Sequence, residues 1–160
     1  MAYNAIFEGV MSILQADTNL VPGLLGPKTV TNQRLYRNFP ASQQFLRGYE
    51  PNQPSEGWLV VEEPQATITA SHTEYTSNHE LVELLFHCYA TTYSLTHAVL
   101  DILDMSFHWV LDQQRSVTWG DRFLLFTRRY MVKDEYQQDI KLYSKAIHYR
   151  MDLVRVEDPL

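Results

Sequence analysis

From Leu81 to Ala90 the side chains alternate with a period of two, and beyond Thr92 the period lengthens to that of a helix. No other stretch restricts the fold as much. Val82, Leu84, Phe86, Cys88 and Ala90 form one wholly apolar set, whereas Leu81, Glu83, Leu85, His87 and Tyr89 form a mixed one. A single clean apolar face at period two is the pattern of a half-buried strand. Leu95, Ala98, Val99, Ile102 and Met105 then recur at helical spacing and predict one apolar stripe. Thr92 or Ser94 offers a hydroxyl to the free N–H groups of the first turn. A strand of this kind feeding such a helix folds the helix back onto the sheet. Glu80 to Met105 is therefore expected to be the centre of the core.

The flanking segments supply the other layers. Ala2 to Ala16 reads as a helix with Ile6, Val10, Ile13 and Leu14 on one face, flanked by Phe7 and Met11. Gly9 weakens it by about 1 kcal/mol relative to Ala. Asp17-Thr18-Asn19 is turn chemistry and should end it. Six of the seven prolines lie between Pro22 and Pro64, so the section 22–78 is expected to be loop-rich. Within it, Arg34-Leu35-Tyr36 and Trp58 to Glu63 have strand chemistry. Pro64 to Asn78 is rich in Thr and Ser. It forms either an extended hairpin arm, with strand chemistry at Ala66 to Ala70, or a mobile loop; in both forms it is a candidate contact element. Phe107 to Asp112, with Trp109, extends the central helix or begins a second piece. Arg122 to Lys133 alternates as a strand, and Lys133-Asp134-Glu135 reads as a polar turn. From Lys141 to Val156 a long strand carries Tyr143, Ile147, Tyr149, Met151 and Leu153 on one side. Ser144, His148, Arg150 and Asp152 lie on the other. The order predicts an α+β fold: a single mixed, mainly antiparallel sheet with two helices packed on one face.

The length of 160 residues suits one domain over 1–160, and 45% hydrophobic residues permit a real core. A net charge of −6 leaves no global basic footprint for nucleic acid or anionic lipid. One cysteine excludes an internal disulfide and a cysteine-rich zinc site. No apolar run is long enough to span a bilayer, and the start of the chain lacks the pattern of a signal peptide. The expectation is a soluble chain made and used in a cytoplasm.

Chemistry has few footholds. His97, Asp101, Asp104 and His108 are spaced to share one helical face, and imidazole and carboxylate at i and i+4 can hold a metal. The solvated side of an ordinary amphipathic helix explains the same spacing, so no metal is assigned. Cys88 lies on the apolar face, where a buried inert thiol is expected rather than a nucleophile. Glu83, His87 and His148 fall on wet faces of strands and can meet there as surface pairs. There is no phosphate-binding glycine loop, nucleophile elbow or His-Glu-x-x-His. No catalytic residue and no cofactor is expected. Arg128, Arg129 and Tyr130 form the one compact basic cluster with an aromatic neighbour. A protein interface is favoured over nucleic-acid phosphates by the acidic overall charge. Trp119, beside Gly120, is a second interface candidate, with covering of the core edge as its structural alternative.

Three segments together resemble the tail terminator and tail-completion proteins of long-tailed bacteriophages. They are the opening helix AIFEGVMSILQAD before Val-Pro-Gly-Leu-Leu, the central VELLFHCYATTYSLTHAVLDIL, and the closing strand DIKLYSKAIHYRMDLVRV. The resemblance implies a structural virion protein, without enzymatic activity, assembled in the host cytoplasm. Its subunits would form a homo-oligomeric ring, typically of six, on the end of the tail tube. The ring would contact the tail tube protein on one side and the head connector or stopper on the other, with DNA only as passing cargo. An acidic lumen suits that passage, because it repels a polyanion. A connector stopper or a tube subunit is the alternative within the same machine, and a small metal-dependent enzyme the alternative outside it. The contact candidates are Thr67, Thr69, His72 and Tyr75 in the arm, together with Trp119, Arg128, Arg129 and Tyr130.

Overall fold

The computed structural model describes residues 4–25, 34–39, 56–69, 79–108 and 122–155. In chain order its elements are α1 (Asn4–Ala16), a π-helical turn (Asn19–Leu24), β1 (Leu35–Arg37), β2 (Gly57–Val61) and β3 (Gln65–Thr69). These are followed by β4 (His79–Ala90), α2 (Tyr93–Phe107), β5 (Arg122–Gln137) and β6 (Leu142–Arg155). The strands make one six-stranded sheet in the order β1-β2-β4-β6-β5, with β3 also paired to β4. Only β1 and β2 run parallel; every other pair is antiparallel. The fold is α+β, as the periodicities predict.

β4 is the spine. Its even residues Val82 to Ala90 are fully buried and its odd residues Leu81 to Tyr89 are half-buried, strictly in alternation. One side of β4 pairs along its whole length with β6, from His79↔Val154 to Ala90↔Tyr143. The other side is shared. β2 pairs with residues 86–90 and β3 with residues 80–83. Between them the Glu62 N–H donates to the Leu85 carbonyl at 3.0 Å. β2 and β3 are thus one interrupted partner strand of β4. Pro64 has no N–H for the ladder and marks the interruption. The strand chemistry read at 66–70 is realised as β3, which accounts for the paired part of the hairpin arm.

Among the described residues, helices cover one face only. Ile6, Phe7, Val10, Met11, Ile13 and Leu14 of α1 are all buried, as their spacing predicts, and pack in one cluster with Leu35, Leu59 and the even face of β4. Arg37 ties β1 to α1: it lies 2.5 Å from Glu8 and 5.2 Å over the Phe7 ring. α2 begins where the periodicity changes, with the Thr92 hydroxyl accepting from the Leu95 N–H at 3.3 Å. The rings of Phe86, Phe107 and Tyr149 meet at 5.4 to 5.9 Å between centroids and join α2 to β4 and β6.

Two expectations need correction. The buried stripe of α2 is Thr96, Val99, Leu100, Leu103, Ser106 and Phe107, whereas Met105 is 79% exposed. Counting hydroxyl residues as polar turns the stripe to the wrong phase. Thr96 donates to the Tyr93 carbonyl at 2.6 Å, so its burial leaves no donor unpaired. Second, Lys133, Asp134 and Glu135 are not a turn but part of β5, which runs on to Gln137. All three are exposed on an edge strand, where charge is tolerated. The chain reverses four residues later, with Lys141 at φ 54°.

Candidate functional site

The face of the sheet away from the helices carries the polar chemistry. Pairing register assembles a row across four strands: Gln65 of β3 opposes Glu83 of β4, Glu83 opposes Arg150 of β6, and Arg150 opposes Arg128 of β5. A bulge between Arg129 and Met131 adds Tyr130 to this face. The Tyr130 hydroxyl donates to Glu83 Oε1 across the intervening strand. His148 Nδ1 lies 2.9 Å from the same oxygen, and the Arg150 guanidinium lies 4.3 Å over the Tyr130 ring. Three strands are stitched together here by side chains.

The electrostatics follow from that stitching. Burial pushes the Glu83 carboxyl up. The hydrogen bonds from Tyr130 and His148, with the nearby His148 and Arg150 charges, outweigh it and hold Glu83 below its usual range. Burial and the bond to Glu83 push the Tyr130 phenol up to about 12. Arg128 is exposed, and it stands directly across from a second arginine. Like charges in register repel unless an anion joins them. The Arg150 Nε is buried and has no hydrogen-bond partner among the described residues.

At the other side of the same face, a groove of about 320 Å³ is lined by Asn38, Glu62, Glu63, Gln65, Glu83 and Leu85. Asn38 adopts φ 56°, a conformation Asn tolerates better than most residues. Its Oδ1 accepts from the Glu63 N–H at 2.9 Å and holds the β2–β3 interruption in place. His87 Nε2 is 3.2 Å from Glu62 Oε2 but too oblique for a hydrogen bond. The open face is therefore acidic towards β2 and β3 and basic towards β5.

The basic cluster read from sequence is divided by the sheet. Arg128 and Tyr130 belong to the open face. Arg129 faces α2, 2.6 Å from Asp104 Oδ2, while its N–H donates to His108 Nδ1 at 2.9 Å. Tyr149 donates to the other Asp104 oxygen at 2.7 Å. That network clamps the end of α2 to β5 and β6. It also separates the four helix residues considered for a metal: Asp104 and His108 turn to the sheet, and His97 and Asp101 remain an exposed pair 3.8 Å apart. Among the described residues no three His, Cys, Asp or Glu side chains are placed to hold a metal. Glu83 and His148 do meet, whereas His87 lies apart beside Glu62. Cys88 is fully buried, and burial pushes its thiol up to about 12, far from a reactive thiolate. Thr67 and Thr69 stand on β3. His72, Tyr75 and Trp119 lie outside the described residues.

No protein family and no curated protein matches this sequence. The fold is similar to that of a chain in a solved structure titled "Virion of native gene transfer agent (GTA) particle". The TM-score is 0.63, over 91% of this chain and 91% of that one, at 12% identity. The likeness is one of fold and spans nearly the whole chain.

Sequence reasoning missed two features. Arg150 lies 22 positions from Arg128, and only the register of β5 on β6 brings them opposite. A second aromatic cluster sits where α2 begins. Tyr136 and Tyr143 pack with tilted rings at 4.8 Å, Tyr143 meets Tyr93 edge-on at 6.1 Å, and Lys145 lies 4.4 Å over the Tyr93 ring. Lys145 is 2% exposed and reaches Asp134 at 2.5 Å. Burial disfavours its charge, but the bonds to Asp134 and Tyr93 more than compensate and raise its pKa. A lysine among the odd residues of β6 was readable as an exception to the apolar face; its ring partner was not.

Proposed function

We propose that the chain is a structural protein of a phage-like virion, and within it a tail terminator or head–tail joining subunit. The observation that carries this reading is the fold likeness to a chain of a gene transfer agent virion over 91% of both chains. The three segments quoted from the sequence point to the same class. The role is architectural. Subunits close into a ring, of about six by analogy, that caps the tail tube and presents a docking surface to the head connector or stopper. The work is done by shape and contact, with no reaction and no cofactor. DNA passes through and is not held, which suits a chain of net charge −6. β5 and β3 have no strand on their outer sides among the described residues. Free strand edges of this kind suit lateral association.

The test is the assembly state of the purified protein over a wide concentration range, by light scattering and electron microscopy, followed by binding to tails that lack their end ring. Closed rings, or monomers that bind such tails, support the reading. Tubes of indefinite length reassign the chain to a tube subunit. A compact two-fold dimer that binds no tail overturns it.

A further inference from the structure

We propose that the two edges of the open face bind each other between copies: Arg128 of one copy engages Glu62 and Glu63 of the next. The inference rests on the ring reading and adds to it a specific contact.

Three observations carry it. Arg128 is exposed and opposes Arg150 in register, an arrangement that repels in the isolated chain. The Arg150 guanidinium lies over the Tyr130 ring with its Nε buried, so of the two arginines Arg128 is the one open to a second copy. The complementary charge lies on the same face by the opposite edge, where Glu62 and Glu63 line a groove of about 320 Å³. Glu83 belongs to that groove too, but its carboxylate is occupied by Tyr130 and His148. Glu63 is exposed, and so open to a partner.

The geometry dictates the type of contact. Strands lie about 4.8 Å apart, so the row from Gln65 to Arg128 spans roughly 14 Å. Arg128 therefore cannot neutralise the far carboxylates of the same copy. Two identical chains side by side in the same sense bring the basic edge of one to the acidic edge of the next. Such a contact is heterologous, and it generates a ring when the rotation closes. Guanidinium groups suit it, because they pair with carboxylates in a two-pronged geometry that lysine cannot copy.

Charge reversal tests the contact directly. Arg128→Glu makes both edges acidic, and Glu62→Arg with Glu63→Arg makes both basic. Each variant should self-associate roughly tenfold more weakly, or worse, than the wild type at low salt. Mixed in equal amounts, the two should recover association, because every edge then meets its opposite. A chain carrying all three changes should associate like the wild type. Wild-type association should also weaken as salt rises. Rings that persist in either variant overturn the contact and leave the ring reading standing. A wild type that remains monomeric at every concentration and salt overturns the contact, while tail binding decides the ring reading separately. Should Arg128→Glu abolish binding to duplex DNA and leave association unchanged, the pair belongs to phosphates and the contact is wrong.

Discussion

At the scale of single residues, the sheet converts sequence neighbours into strangers and distant residues into partners. Arg128 and Arg129 are adjacent, yet one lies on the open face and the other is bound to Asp104 beneath α2. Glu83 and His148 are 65 positions apart and share a contact of 2.9 Å. No pattern in one strand reveals that, because register is set by both strands and by the bulge at Tyr130. Glu83 also has a consequence for stability. Its folded pKa is depressed below the ordinary 4.5. Its contribution is therefore complete above that value and is lost as pH falls through the depressed one. Glu83→Gln should cost about 1–2 kcal/mol at pH 7, near the low end for charge-assisted bonds because the side chain is 27% exposed. The gap between wild type and variant should close in acid. Urea melts of both proteins between pH 7 and 3 check this, and a gap that stays constant down to pH 3 would remove Glu83 from the acid response.

Elements differ in how plainly the chain announces them. β4 and β6 were legible because each has one buried face, so that every second side chain reports its position. α1 was legible for the same reason at helical period. The phase of α2 was not, since Thr96 and Ser106 are buried with small hydroxyls while Leu95 and Ile102 are only half-buried and Met105 is exposed. Hydrophobicity alone gives two overlapping stripes that share Val99, and tertiary contact selects between them. The length of β5 was hidden because an edge strand accepts charged residues that would signal a turn elsewhere. The choice of stripe is measurable. Leu103→Ala should lose about 2–5 kcal/mol as a core truncation. Met105→Ala should stay within about 0.5 kcal/mol. Thermal or urea melts compare the two, and the reverse ranking would return α2 to the phase suggested by its sequence.

For the whole molecule the decisive feature is asymmetry. One face of the sheet is sealed by α1, the π-helical turn and α2, and the other presents titratable side chains. In the plane of the sheet, β4 and β6 are paired on both sides, while among the described residues β5 offers an outer edge along its 16 residues. Such an edge invites uncontrolled pairing unless charges and bulges blunt it. β5 has both: exposed Arg128, Lys133, Asp134 and Glu135, and bulges after Leu124 and Arg129. A subunit built to join neighbours in one geometry needs an edge that pairs only when the opposing charges agree. Hydrogen exchange can report this amide by amide. In the isolated chain the outward amides of β5 and β3 should exchange quickly and those of β4 and β6 slowly. On assembly, protection should rise along β5 and β3 and remain unchanged in β4 and β6, whose amides already have partners. Protection gained on α1 or α2 instead, with β5 and β3 still exchanging freely, would mean that copies meet through the helical layer. The free edges would then be surfaces kept apart by charge, not the joints of the assembly.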